Sequence, residues 1–347
     1  MIYISGQILQ GTSFQEGYLG IERGLIVETG DGQPPERPVR EGIIVPSFVN
    51  CHTHVGDADV SLDPSLTLEE MVAPPRGMKH RALAAMDQTS LDLSIARARA
   101  LMRVSGTSHF IDFREGGVEG ANSLTKLKGP PYPKVMARPK GMEYDHEEVS
   151  RLLSCADGVA VSSVSDWEVD ELDSLVEHVR REGKPFAMHA SEGRREDMGR
   201  ILSLQPSFLV HLCAADDGDM RMVADAGVPV VVCPRSNLFM GMVPPLSRML
   251  DAGIALALGT DNFMNSDGDM RSETEMMARL LRSQGRDGLQ AIQAAFVESR
   301  KLLNLESELP LTEGKAADLV VYEGRGSSPA CDLLFRSGNG ASMVCIR

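Results

Sequence analysis

Short apolar segments recur along the middle of the chain at intervals that suit alternating strands and helices. The first, Gly42–Asn50, is a largely apolar run, which is typical of a strand covered on both faces. Seven further strand candidates follow it: Gly106–Phe113, Lys134–Arg138, Gly158–Ser163, Pro185–Ala190, Phe208–Leu212, Val228–Cys233 and Ile254–Gly259. Amphipathic segments separate most of these strands. The sequence therefore predicts an α/β fold with eight βα units, as a (β/α)8 barrel requires.

The clearest helix prediction covers Glu168–Arg181, and Gly183 follows it where a helix commonly ends. Its apolar residues keep the i, i+3, i+4, i+7 spacing of a helix with one buried face: Leu172, Leu175, Val176 and Val179. Two longer helical patterns, Met270–Leu281 and Gly288–Leu305, come after the eighth strand.

The two ends of the chain share a β-rich character that differs from the middle. Alternating or turn-bounded strand candidates lie at Met1–Leu9, Gly17–Glu22, Leu25–Glu28, Gly314–Tyr322 and Ser342–Ile346. We therefore expect residues 1–42 and 312–347 to form one small β-sandwich domain. The barrel is then expected to occupy residues 43–311.

Composition narrows the class of partner. A net charge of −14 argues against nucleic acid and fits a small-molecule substrate. No apolar run approaches the roughly 20 residues that span a bilayer, and no basic segment precedes an apolar one at the N-terminus. Six cysteines without a CxxC pair suggest free thiols in a reducing compartment. We expect a cytoplasmic protein without a membrane partner, and self-association stays open.

Titratable residues collect where the predicted strands end, which is where active sites of such barrels lie. Strand one ends in His52-Thr53-His54, and residues i and i+2 of an extended chain point to the same side. His189 ends strand five, His211 ends strand six, and Asp261 follows strand eight. Imidazole and carboxylate groups suit zinc and ferrous iron, so the pattern predicts a metal site at this mouth.

A single histidine at a strand end is more often a hydrogen-bonded structural residue than a ligand. That interpretation covers His80, His109, His146 and His178, which lie in helices, loops or unpartnered positions. For the other four histidines it would require several coincidences. The metal site is therefore the stronger hypothesis.

The same residues resemble the amidohydrolase superfamily. The HxH pair at His52 and His54 is followed by His189, His211 and Asp261 in the order of that superfamily. The sequence looks most like the branch that holds cytosine deaminase, adenosine deaminase and the triazine hydrolases, and the resemblance covers nearly the whole chain. Three further motifs of that branch match: the HxxE of His189–Glu192, Cys233-Pro-Arg-Ser-Asn237 and Gly259-Thr-Asp-Asn262.

The resemblance implies one divalent metal, zinc with iron as the alternative, held by His52, His54, His189 and Asp261. Members with two metals usually bridge them with a carboxylated lysine that ends strand four. The segment Gly158–Asp166 contains no lysine, and Lys184 precedes strand five at the opposite end. One metal is therefore expected.

The resemblance also implies the catalytic residues: His211 hydrogen-bonds the water on the metal, Asp261 takes a proton from it, and Glu192 carries protons. Glu192 would protonate a ring nitrogen and then the leaving ammonia. The expected reaction is deamination of an amino-substituted heterocycle, such as a purine or pyrimidine, by hydroxide bound to the metal. A structural alternative is that Glu192 merely begins a helix, where an acid favours the helix dipole.

Substrate contacts are predicted at residues that follow strand ends: Arg114, Trp167, Ser236, Asn237 and Asn262. The long segment Val55–His80 is expected to cover the site. Two other functions stay open. One is hydrolysis of another carbon–nitrogen or carbon–chlorine bond, as in triazine or amide hydrolysis, and the other is a catalytically silent metal-binding scaffold.

Overall fold

The computed structural model describes residues 1–324, 326, 328–335, 341 and 343–346. Its strands are β1 (Ile2–Gln10), β2 (Ser13–Glu22), β3 (Leu25–Gly30), β4 (Arg40–Pro46), β5 (Phe48–His54), β6 (Thr107–Arg114), β7 (Tyr132–Ala137), β8 (Gly158–Val161), β9 (Phe186–Ala190), β10 (Phe208–His211), β11 (Val230–Val232), β12 (Leu256–Leu258), β13 (Asp261–Asn262), β14 (Leu319–Tyr322) and β15 (Met343–Cys345). Its helices are α1 (Leu68–Val72), α2 (Met78–Ala85), α3 (Gln88–Val104), α4 (Gly117–Thr125), α5 (His146–Cys155), α6 (Val169–Arg181), α7 (Met198–Ser203), α8 (Asp217–Asp225), α9 (Pro234–Phe239), α10 (Leu246–Ala252), α11 (Met270–Ser283), α12 (Gln290–Ile292), α13 (Ser299–Leu303) and α14 (Pro329–Phe335).

Strands β5 to β13 form one nine-stranded sheet in which every neighbouring pair is parallel. β12 pairs with β11 at one edge, and β13, two residues further along the chain, pairs with β5 at the other. The sheet therefore returns to its first strand. This arrangement confirms the α/β class and is consistent with the predicted (β/α)8 barrel.

The helix predicted at Glu168–Arg181 is present as α6, and all four of its predicted core residues are buried. The pattern at Gly288–Leu305 is helical but not uniform. A π-helical segment, Gln293–Glu298, separates α12 from α13. In that segment the backbone hydrogen bonds skip one residue more than in an α-helix, which periodicity alone does not reveal.

Strands from both ends of the chain share a second sheet, with the order β15-β14-β4-β1-β2-β3. Its centre is a parallel pair, β1 with β4, and its other pairs are antiparallel. The six strands form one sheet, so the predicted two-layer sandwich is not confirmed. Residue 342, within the last predicted strand, lies outside the described residues. Among the described helices, none is both long and apolar enough to cross a membrane.

Apolar side chains inside the parallel sheet occupy alternate positions along each strand, as a barrel interior requires. This interior cluster contains Val49, Cys51, Ile111, Phe113, Met136, Ala160, Ala187, Phe208, Val210, Val231, Cys233 and Ala257. All of its members are buried, so the strands enclose a packed core and not a channel. The polar residues of the candidate site lie at the carboxyl end of this core.

Candidate metal centre

The carboxyl ends of four parallel strands bring the predicted metal ligands together. His52, His189, His211 and Asp261 each offer one ligand atom, and these atoms lie within 4.8 Å of one another. His54 lies beside them. Its Nε2 is 3.6 Å from Oδ1 of Asp261, and its ring centroid is 4.9 Å from that of His52. The geometry thus contains five potential ligands for the four that were predicted.

A β-bulge positions the two histidines of strand β5. Between Asn50 and Thr53 the strand contains one more residue than the facing segment of β6. Such a bulge redirects side chains and is common next to active sites. Here the bulge contains Cys51, which belongs to the apolar interior, and His52. As a result His52, the next residue, can also point inward.

Strained backbone marks the same strand ends. Ser191, His211 and Asp261 have φ values of 45°, 79° and 64°, a left-handed region that residues other than glycine rarely adopt. Ser191 follows β9, His211 ends β10 and Asp261 begins β13, all at the mouth of the sheet. Strain of this kind persists only where the surrounding structure enforces it, and it is concentrated at functional sites.

A glycine allows the last strand segment to approach the first. A Cβ atom on Gly259 would lie 2.7 Å from Cβ of His52. Two hydrogen bonds hold this contact: Asn50 Nδ2 donates to Thr260 Oγ1 over 2.8 Å, and the Thr260 backbone donates to Asn50 Oδ1 over 3.1 Å. Asp261 is thereby fixed next to His52, with 3.2 Å between Oδ1 and Nε2.

The lone pairs of the imidazoles converge on one point. His54 Nδ1 lies 3.1 Å from the Phe113 carbonyl, and His189 Nδ1 lies 3.3 Å from the Val161 carbonyl. A carbonyl can only accept, so both Nδ1 atoms donate and both Nε2 atoms keep a lone pair. His189 Nε2 faces His52 Nε2 at 3.2 Å. Tetrahedral zinc with bonds of about 2.0–2.1 Å would separate its ligands by about 3.3 Å, so the donor set fits such an ion.

Burial keeps these histidines neutral. It lowers the pKa of His54 to about 3, and it also lowers the pKa values of His52 and His189. A metal ligand must be unprotonated, so this environment favours metal binding at neutral pH. The ring of Phe113 lies 4.5 Å from that of His52 and supplies part of the apolar surroundings.

His211 differs from the other histidines in its hydrogen bonding. Asn237 Nδ2 lies 3.1 Å from Nδ1 of His211, and in this orientation the amide donates to the ring. The proton of a neutral His211 is then on Nε2, 3.5 Å from Oε1 of Glu192. In this tautomer Nε2 donates a hydrogen bond and has no lone pair for a metal. This orientation favours His54, and not His211, as the fourth ligand.

A cavity of about 500 Å³ opens above the cluster. Its base contains His54, His189, His211, Glu192 and Asp261. Burial raises the pKa of Glu192, which favours a carboxyl group that can hold and release a proton. The segment that was expected to cover the site does contribute to the wall, with residues 67–69, 72–74, 79 and 80.

Of the predicted substrate contacts, Asn262 lines the cavity. Arg114 and Trp167 do not line it and are buried. Arg114 NH2 donates to Oε2 of Glu115 over 2.9 Å, so its charge is directed at a neighbouring carboxylate. Trp167 packs into the main apolar core.

Ser236 and Asn237 are also buried away from the cavity. They lie in the first turns of α9, which begins with Pro234 directly after the interior residue Cys233. Ser236 Oγ donates to Oδ2 of Asp261 over 2.6 Å. Like Asn237, Ser236 contacts a residue of the cluster.

Several cavity residues were not among the predicted site residues, and three of them are the basic side chains Lys79, His80 and Arg138. Arg138 follows β7 as Glu115 follows β6, so its position after a strand was a usable signal. His80 Nε2 lies 3.0 Å from the Val72 carbonyl, so it donates there and leaves Nδ1 free for Arg138 NH2, 3.2 Å away. Lys79 lies in a segment without a strand pattern, and no local signal identified it.

Comparison with known proteins agrees with the resemblance to amidohydrolases in the sequence analysis. The model of the amidohydrolase family matches residues 43–341. A putative aminohydrolase of Methanothermobacter thermautotrophicus is 31% identical, covering 97% of this chain and 95% of the relative. A 5-methylthioadenosine/S-adenosylhomocysteine deaminase of Haloquadratum walsbyi is 27% identical over 81% of this chain and 71% of its own. An adenosine deaminase structure from Xanthomonas campestris with bound zinc has a TM-score of 0.76 at 17% identity, with 96% and 88% of the two chains covered, which shows a shared fold.

Proposed function

Because the chain belongs to the amidohydrolase family, we propose that it is a metal-dependent deaminase of an amino-substituted heterocycle. One observation carries the proposal. Glu192, a carboxyl group with a raised pKa, lies in the cavity beside His211 and next to a buried histidine–aspartate cluster. Hydrolytic removal of ammonia needs such a proton carrier, because the leaving nitrogen must gain a proton.

We propose His52, His54, His189 and Asp261 as the ligands of one divalent metal. Zinc is the first candidate, since the donor spacing fits it and a protein of the same fold is described with bound zinc. When bound, the ion would supply Lewis acidity and lower the pKa of water from about 15.7 toward about 7.

The residues around the cluster have separate tasks in this proposal. His211 donates from Nε2 and orients the attacking water. Asp261 accepts a proton from that water, and the Ser236 hydroxyl at 2.6 Å holds the carboxylate in place. Glu192 protonates a ring nitrogen as the oxygen adds to the amidine-like carbon. Glu192 then takes the proton of the added hydroxyl group and delivers it to the amino group, which leaves as ammonia. The proton held by Asp261 returns to Glu192, so one water is consumed and one ammonia is released.

The names of two relatives support the class of bond. One is a putative aminohydrolase and another is a deaminase of 5-methylthioadenosine and S-adenosylhomocysteine. The cavity volume of about 500 Å³ lies within the range of small-molecule sites. Neither observation selects one ring, so the proposal names the reaction and not the substrate.

The test is ammonia release by the zinc- or iron-loaded protein with aminopurines, aminopyrimidines, their nucleosides and aminotriazines. Release of ammonia from one of these rings, with the matching oxo product, would support deamination. A protein that binds one metal per chain but releases no ammonia would contradict it. Chloride release from a chlorotriazine, or cleavage of an amide, would then identify the alternative hydrolase.

A further inference from the structure

A buried lysine connects the wall of the cavity to the candidate metal centre. Lys79, in the first turn of α2, is 2% exposed, although lysine is among the residue types least often buried. Its Nζ donates to Oδ1 of Asn262 over 2.7 Å and lies 2.8 Å from Oε1 of Glu115. Oδ2 of Asp57 is 3.5 Å away. A buried ammonium group with these three oxygen neighbours can hold the residues that carry them in place.

One branch leads from Lys79 to His54. Oε1 of Glu115, the oxygen that contacts Lys79, also lies 2.9 Å from Nδ1 of His54. A carboxylate next to the Nδ1–H of a histidine fixes the ring orientation and makes the opposite nitrogen a better ligand. Lys79 holds this carboxylate, and Arg114 holds its other oxygen over 2.9 Å.

The second branch leads from Lys79 to Asp261. Asn262 accepts from Lys79 through Oδ1, which leaves its Nδ2 to donate to Oδ1 of Asp261 over 2.9 Å. The lysine therefore fixes which way the amide points. With Lys79 absent, the amide could rotate and present its oxygen to the carboxylate, which would be repulsive.

We infer that Lys79 is a positioning residue, which holds His54 through Glu115 and Asp261 through Asn262. The inference rests on the proposed metal centre and adds a residue to it. It also links two parts of the chain. Lys79 belongs to the segment between β5 and β6, whereas the groups that it holds belong to β5, β6 and β13 or directly follow them. The position of that segment and the geometry of the proposed metal ligands are thereby coupled.

The experiment compares cobalt(II) binding by the wild-type protein, Lys79→Met and Lys79→Gln. Visible absorption reports the ligand geometry, and competition with a chelator reports affinity. We expect Lys79→Met to weaken cobalt and zinc binding about 10–100-fold, as loss of outer-sphere partners does, and to change the absorption spectrum. Lys79→Gln keeps a donor and should lose less. The matched control is Lys140→Met, an exposed lysine that contacts Glu119.

Loss of Lys79 removes one of the two cations beside the buried Glu115 and leaves Arg114 as the other, so folding must be controlled. The double variant Lys79→Met/Glu115→Gln removes both charges, and all affinities are expressed per folded chain from circular dichroism. Wild-type affinity and an unchanged spectrum in the double variant or in Lys79→Met would overturn the inference alone. A wild-type protein that binds no cobalt would overturn the proposed metal centre and this inference with it.

Discussion

The interior of the parallel sheet and its carboxyl end are built from the same strands but have opposite chemistry. On β9, Ala187 belongs to the apolar interior and His189 to the cluster. On β10, Val210 is interior and His211, the next residue, reaches the cluster. The interior residues among these have ordinary strand backbone, whereas His211 is left-handed with φ of 79°.

This difference separates the source of stability from the site of the proposed function. Burial of the interior side chains supplies free energy of folding, roughly 25 cal/mol per Å² of apolar surface. The carboxyl end contains strained residues and neutral histidines that face one another. The two regions meet at Phe113, whose ring lies 4.5 Å from that of His52. The interior thus also provides an apolar surface beneath the cluster, which helps to keep the histidines unprotonated.

The largest expected effect concerns the carboxyl end. His52→Ala removes the histidine whose Nε2 faces both His189 and Asp261. We expect loss of stoichiometric metal and of all measurable turnover, with the fold retained. Metal analysis after dialysis checks this, with His146→Ala, an exposed histidine, as the control. A His52→Ala protein that still holds one metal per chain would break the ligand assignment.

Glu192→Gln should separate metal binding from catalysis. The amide cannot carry a proton between ring and leaving group, so we expect normal metal content and turnover reduced about 10²–10⁴-fold. Glu177→Gln makes the same chemical change at an exposed position of α6 outside the cavity and should leave turnover nearly unchanged. Undiminished turnover in Glu192→Gln would remove this residue from the proton path.

A substitution in the interior should have the opposite effect: it should lower stability and leave turnover and metal content nearly unchanged. Ile111→Ala truncates a fully buried side chain of the interior cluster and should lower the free energy of unfolding by about 2–5 kcal/mol. Turnover and metal content per folded chain should stay close to wild type. Denaturant unfolding measures the free energy of unfolding, and assays at low temperature measure turnover and metal content. Val104→Ala, at a 69% exposed position, should change stability by about 0.5 kcal/mol or less.

The fold and the centre of the site were predictable because their signals are local. Apolar runs identified seven strands of the predicted barrel, and α6 follows its apolar spacing. The first predicted run, Gly42–Asn50, is divided in the structure between β4 of the second sheet and β5 of the parallel sheet, because a short break at Ser47 separates two strands that pair with different partners. The HxH pair, His189 and Asp261 could be selected as candidate ligands because each ends or closely follows such a run. The β-bulge in β5 was not predicted, and it allows the predicted ligand His52 to point inward, toward the cluster.

The rest depends on packing between distant segments. Ser236 and Asn237 follow a strand end, as substrate contacts often do, but the turn into α9 directs both toward the cluster. Lys79 is 36 positions from Glu115 and 183 from Asn262, and no spacing rule links residues so far apart. The strands of the chain ends were predicted from their alternating pattern as a β-sandwich, but strand pairing places them in one sheet.

That shared sheet has a consequence for the order of folding. β4 ends at Pro46, and its antiparallel partner β14 begins only at Leu319, roughly 270 residues later. At a synthesis rate of about 5–20 residues per second, the nascent chain carries β4 for about 14–55 s before that partner exists. Throughout this interval one edge of β4 has unpaired backbone groups that a foreign strand could join. The edge of β4 is therefore open to pairing with a foreign strand while the chain is being translated.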